Sequence, residues 1–103
     1  GLAVAQMPGG QAFEEAYKAR FKSNIELHAP FAYDGVGVLI AAIEQANSTD
    51  PQKYLPVLRA ISYPGVTGTI AFDAQGNLQN PSFTVYQVKA NQWQPVSVAG
   101  GKK

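Results

Sequence analysis

Apolar positions recur along this chain with two different periods. As far as residue 61 they return every three or four positions, the spacing of a helix with one buried face; from Val66 onward they return every second position, the spacing of a strand. The spacing therefore predicts three helices followed by three strands, an α/β class without internal repeats.

The first helix is expected over about Gln11 to Lys22, where Phe13, Ala16, Tyr17 and Phe21 form one apolar stripe. Glu14 and Glu15 are placed in its first turn and Lys18, Arg20 and Lys22 towards its end, the arrangement that complements the helix dipole. Glu14 and Lys18 also form an i,i+4 pair in the favoured orientation. Asn24 to His28 reads as a short extended stretch. Pro30 then suits the first position of a second helix running to about Ala46, with Asn47 as its C-terminal cap. Val36, Val38, Leu39, Ile40, Ala41, Ala42 and Ile43 make that helix apolar on almost every side, so burial from several directions is expected. Gly35 and Gly37 lower its helix propensity and mark close approach of a neighbouring backbone. Asp50-Pro51 is an N-cap and N1 pair for a third helix to about Ala60, with Tyr54, Leu55, Leu58 and Ile61 on one stripe and Tyr63-Pro64-Gly65 ending it.

The first strand is expected to carry Val66, Gly68, Ile70 and Phe72 on one face and to end at Asp73. Ala74 to Asn77 forms the turn after it. A second strand spans Phe83 to Lys89. A third, Trp93 to Val98, is demoted to an edge by Pro95. A helix apolar all round needs more partners than two short helices and a few strands supply. The pattern therefore reads as part of a larger α/β protein.

Composition narrows the function more than the fold. The 103 residues are 46% hydrophobic and 15% charged, with eight Lys and Arg against seven Asp and Glu. A net charge of +1 gives no basic stripe for nucleic acid or an anionic membrane. The longest apolar run, Gly35 to Ile43, falls far below the ~20 residues needed to span a bilayer. With no cysteine and the single histidine His28, thiolate chemistry, disulfides and multi-histidine metal sites are excluded, and no metal or cofactor is expected. The tail Gly100-Gly101-Lys102-Lys103 reads as a frayed end or an expression remnant.

Candidate chemistry is sparse. His28 lacks a serine on a strand-turn-helix elbow and has no close orienting carboxylate, so it reads either as a loop residue beside a helix start or as a ligand contact. Glu14 and Glu15 point to different sides of their helix and cannot act as an acid/base pair. Asp50 is explained as a cap and Asp73 as a turn residue. Asp34, inside the apolar helix, is read as a structural hydrogen-bonding group. Gly35-Val36-Gly37 lacks the third glycine and the preceding strand of a dinucleotide fingerprint. Asn47-Ser48-Thr49 matches a glycosylation pattern but is explained by a helix-ending turn. Tyr86 and Trp93 read as cross-strand packing rather than an aromatic platform. The chain is not expected to be an enzyme.

Taken in order, MPGGQAFEEAYKARF, ELHAPFAYDGVGVLIAAI, STDPQKYLPVLRAISYPGVTGTIAFDAQGNL and FTVYQVKANQWQPV resemble the C-terminal third of a periplasmic amino-acid-binding protein. The subgroup resembled is the leucine/isoleucine/valine type, the type I periplasmic binding fold that serves branched-chain amino-acid ABC importers. In that family two α/β lobes close over an amino acid and the chain crosses between them three times. The resemblance implies that residues 1–80 belong to the C-terminal part of the first lobe and that Pro81, Ser82, Phe83 and Thr84 form the last hinge crossover. Residues 85–103 would then be the C-terminal strands of the second lobe and the tail.

His28 matches a place where family members put an aromatic side chain at the ligand cleft; here it is histidine. The resemblance further implies a periplasmic location, an amino-acid ligand and a membrane permease as partners of the parent protein, and no nucleic acid. The isolated fragment is expected to bind no ligand by itself and to form a homo-oligomer through its uncovered apolar surfaces. The alternatives are a ligand-sensing regulator of the same two-lobe fold and a self-associating structural fragment.

Overall fold

The computed structural model describes residues 1–101. A 3-10 turn, Val4–Gln6, leads into α1 (Gly10–Phe21), α2 (Ala29–Ala46) and α3 (Pro51–Ala60). Four strands follow: β1 (Ser62–Gly65), β2 (Gly68–Ala71), β3 (Ser82–Lys89) and β4 (Gln92–Gly100). They form two separate antiparallel hairpins, β1–β2 and β3–β4. The expected order of helices then strands holds, with four strands rather than three.

The additional strand has a local cause. Tyr63-Pro64-Gly65 does not merely end a helix. Ile61 already leaves α3 in extended conformation, and the next four residues pair with β2, Ser62 opposite Ala71 and Gly65 opposite Gly68. Pro64 is tolerated because β1 pairs only with β2 among the described residues and so lies at an edge. The single strand expected from Val66 is thus a second hairpin arm preceded by a Val66-Thr67 turn. Ile70 and Phe72 nevertheless face the core as their alternation implied.

The helix ends follow their capping residues. Asp50 accepts the Gln52 amide at 3.0 Å and starts α3 with Pro51 in its first turn. Asn47 takes the left-handed conformation, φ 51°, and its amide closes on the Glu44 and Ile43 carbonyls at the end of α2. α2 starts one residue earlier than expected, with His28 as N-cap, so Pro30 is second rather than first. α1 begins at Gly10, which places Glu14 and Glu15 beyond its first turn. The Glu14–Lys18 ion pair forms at 3.1 Å. Asn24 to Glu26 pairs with no strand among the described residues.

The core is small. Val38, Ala42 and Ile61 are buried, with Ala41, Val57, Leu58, Tyr63, Ile70 and Phe72 packed around them. α2 contributes a single stripe, Pro30, Asp34, Val38 and Ala42, at successive i+4 positions. Its other faces stay open: Tyr33, Val36, Leu39 and Ile40 are exposed, so burial from several directions does not occur within this chain. The close approach at Gly37 comes from the Tyr63 ring, a side chain rather than a backbone. Gly35 has no neighbour that a Cβ would meet. On α3, Leu58 reaches the core while Leu55 stays exposed, and Val57 takes the place that the stripe assigned to it.

The β3–β4 hairpin stands apart from this core. Its two strands make their main contacts with each other. Phe83, Val85, Val88, Val96 and Val98 are exposed, and Trp93, opposite Val88, is 74% exposed. A compact chain of about 100 residues has a radius of gyration near ~13 Å; here it is 15.7 Å. The expected frayed tail is ordered through Gly101, since Gly100 pairs with Ser82 and the Gly101 amide donates to the Pro81 carbonyl at 2.9 Å. Lys102 and Lys103 lie outside the described residues.

Candidate functional site

An open depression of about 750 Å³ lies between the first turns of α2, the β1–β2 hairpin and the segment from Leu78 to Ser82. Phe31, Val38, Ile70, Phe72 and Leu78 give it an apolar floor, and Asp34 is the ionisable side chain at its edge.

Asp34 is 2% exposed, and its carboxylate is committed. It accepts the Val66 amide at 2.9 Å, the Thr67 amide at 2.8 Å and the Thr67 hydroxyl at 2.6 Å. A buried carboxylate needs such donors. The same turn is held from its other side by the Gly9 amide, which donates to the Val66 carbonyl at 3.1 Å. Three elements thus meet at Val66-Thr67: the N-terminus of α1, the first half of α2 and the hairpin. The structural reading of Asp34 holds: its carboxylate is engaged by three donors from one turn.

A second polar junction lies at the start of β3. The Thr84 amide donates to the Gly1 carbonyl at 3.1 Å. The Thr84 hydroxyl accepts the Ala3 amide at 3.2 Å and faces the Gln6 side-chain carbonyl at 3.4 Å. Pro81 immediately precedes β3, and Ser82, Phe83 and Thr84 are its first three residues. Pro81 and Ser82 line the depression together with Gly1 and Leu2; Phe83 points into open space. Periodicity gave no hint that Gly1–Ala3 would meet Thr84, because the contact spans more than 80 residues.

His28 is exposed at the N-cap of α2, makes no side-chain cap bond and does not line the depression. The structure therefore brings Pro81 and Ser82 together with Asp34 around one depression and leaves His28 apart. Tyr86 and Trp93 lie on the β3–β4 hairpin with Trp93 largely exposed, opposite Val88 rather than Tyr86.

Asp73 closes the loop after β2 as an Asx-type turn. Its carboxylate accepts the Gln75 and Asn77 amides, each at 2.9 Å, and the bond from the Asn77 amide chiefly holds its pKa below the ordinary 3.8. Among the described residues no group of three or more His, Asp or Glu side chains could hold a metal ion. No helix there is long and apolar enough to cross a membrane.

Comparison with known proteins gives these junctions a context. The family model for periplasmic binding proteins matches residues 3–93. Over 85 residues, 82% of this chain, the sequence is 36% identical to the leucine-, isoleucine-, valine-, threonine- and alanine-binding protein of Pseudomonas aeruginosa, of which it covers 23%. The crystal structure of the leucine-binding protein LivK of Thermotoga maritima superposes with a TM-score of 0.77 at 27% identity, covering 94% of this chain and 28% of that one. A solute-binding protein of an ABC transporter from R. palustris, solved with benzoate, shares the fold with a TM-score of 0.70 at 21% identity, covering 93% of this chain and 27% of its own. The chain thus spans about a quarter of the length of these relatives, which are named for binding solutes and not for catalysis.

Proposed function

This chain belongs to the periplasmic binding protein family, and from that premise we propose that it is the C-terminal part of the substrate-binding component of an ABC importer for branched-chain or other aliphatic amino acids. The observation that carries this reading is the continuous similarity along residues 3–93, joined to a fold match over 94% of the chain with a leucine-binding protein. The parent protein acts in the periplasm. It binds its amino acid between two lobes and presents the closed form to a membrane permease; closure is favoured by contacts made only when both lobes meet the ligand.

Residues 1–80 belong to the first lobe, Pro81 to Thr84 to the crossover and the following strands to the second lobe. Support comes from the gap in packing at that point: α2, α3 and the first hairpin share one core, and the β3–β4 hairpin shares none of it. His28 sits at the ligand cleft of the parent and contacts the bound amino acid there.

A quarter of a two-lobe receptor has too few ligand groups to bind by itself. Titration calorimetry of the 103-residue chain with leucine is expected to give no saturable heat, while the chain joined to its upstream lobes binds stoichiometrically and loses affinity on His28→Ala. A saturable 1:1 heat from the isolated chain overturns the reading. The same exposed surfaces favour self-association of the isolated chain, since Phe83, Val88, Trp93, Val96 and Val98 lie open on one hairpin. Sedimentation velocity showing a monomer at all concentrations up to ~100 µM, well above the micromolar range of a weak specific contact, removes that part.

A further inference from the structure

Two segments far apart in sequence meet at Thr84, and they are the sole ordered hydrogen-bonded link between the helical body and the β3 strand among the described contacts. One link is backbone only: the Thr84 amide to the Gly1 carbonyl. The other passes through the Thr84 side chain, whose hydroxyl accepts the Ala3 amide and reaches the Gln6 carbonyl oxygen. Gln6 ends the 3-10 turn that leads directly to the buried Met7 and the N-terminus of α1. The hydroxyl therefore couples the strand to the helical body in a way that a backbone pairing cannot. With the amide bond to Gly1, the hydroxyl bond to Ala3 gives the strand two points of attachment instead of one, and two directional bonds restrict its approach more than one does.

We infer that Thr84 is the joint between the two parts of the molecule: its hydroxyl, held between Ala3 and Gln6, sets the angle of the β3–β4 hairpin relative to the helices. The inference rests on reading Pro81 to Thr84 as the crossover between lobes. In a two-lobe receptor that angle is the coordinate along which the cleft opens and closes, so a side chain that fixes it biases the open–closed equilibrium without touching ligand. Thr84 is a positioning residue in this sense.

The test uses the 103-residue chain and three variants. Thr84→Val keeps the shape and the Thr84 amide but removes both hydroxyl bonds. Thr84→Ser keeps the hydroxyl and serves as rescue, and Gln6→Ala removes one partner. Residual dipolar couplings report whether the hairpin amides and the helix amides share one alignment, and hydrogen exchange reports the Ala3 amide. Cross-strand contacts between Val85 and Ser97 confirm that the hairpin has formed in each variant.

Thr84→Val is expected to raise Ala3 exchange about tenfold, the loss of one net hydrogen bond, and to split the alignment into two, with Thr84→Ser like the parent chain. An unchanged Ala3 amide with a single alignment in Thr84→Val rejects Thr84 as the joint and leaves the crossover reading intact. A freed Ala3 amide with a single alignment means that the bond is broken and nothing pivots, which overturns the inference and the crossover reading together. Separate alignments already present in the parent chain reject Thr84 as the element that fixes the angle.

Discussion

Asp34 and Thr67 are bound to each other twice: the Asp34 carboxylate takes the Thr67 amide at 2.8 Å and the Thr67 hydroxyl at 2.6 Å. With the Val66 amide at 2.9 Å, all three bonds run from the first half of α2 to a single turn. Bonds to a charged acceptor out of water are among the stronger ones a small domain makes. Gly65 fits beneath them because a methyl group there would overlap the carboxylate.

Asp34→Ala is therefore expected to destabilise the chain by about 2–4 kcal/mol, since it leaves two amides and a hydroxyl without their acceptor in a part-buried turn. Thr67→Val, which removes only the hydroxyl bond, costs about 1 kcal/mol. Urea unfolding followed by helix ellipticity measures both. An Asp34→Ala variant within ~0.5 kcal/mol of the parent, the range of an ordinary surface change, refutes the anchoring role.

Ala42 is fully buried where α2 meets α3, beside Val38 and Ile61. Ala42→Leu is expected to cost about 1–3 kcal/mol by overpacking. Val38→Ala, which empties part of the same core, is also expected to lower the urea midpoint, because the site is too small to refill it. A neutral Ala42→Leu would mean that the helices slide freely and that the packing seen here is not fixed.

The Asp73 loop responds to acid with a sign set by its hydrogen bonds. The folded carboxyl is held below its ordinary 3.8, chiefly by the Asn77 amide, so the ionised form is favoured in the native loop. That contribution is complete above the ordinary value and is lost as the pH falls through the lower folded one. Amide protection at Gln75 and Asn77 should stay level from pH 7 to about 5 and decline only below the usual carboxylate range. Asp73→Asn should remove the decline. A loop that loosens between pH 7 and 5 contradicts this account.

The sequence made the helices legible because their signals are local. Asp50-Pro51 and Asn47 act within one turn of where they stand, and the structure starts α3 and ends α2 at those residues. The β1 strand was hidden by the same logic: Pro64 and Gly65 read as breakers, and only pairing with Thr69 and Gly68 shows them as an edge. Asp34 was identifiable as a bonded carboxylate, but its partners lie more than 30 residues away, and no period links a helix position to a turn. Thr84 is the extreme case. A threonine at the start of a strand is ordinary until Gly1 and Ala3 are seen beside it.

The all-round apolar pattern of α2 remains the most informative mismatch between sequence and structure. Its Val38 stripe is buried, while Val36 and Ile40, two residues either side, are 60% and 50% exposed. In the isolated chain a charge at Val36 or Ile40 meets water, so Val36→Lys and Ile40→Lys should alter stability by no more than about 0.5 kcal/mol. Val38→Lys buries an unpaired ammonium and should prevent folding. If the upstream lobes of a complete receptor cover α2, the ordering changes: Ile40→Lys becomes as damaging as Val38→Lys once the chain is joined to them. Thermal unfolding of the same substitutions in the short and the complete protein separates the cases. Equal tolerance of Ile40→Lys in both would mean that this face was never built to be covered, and the apolar residues on it would then have no packing explanation.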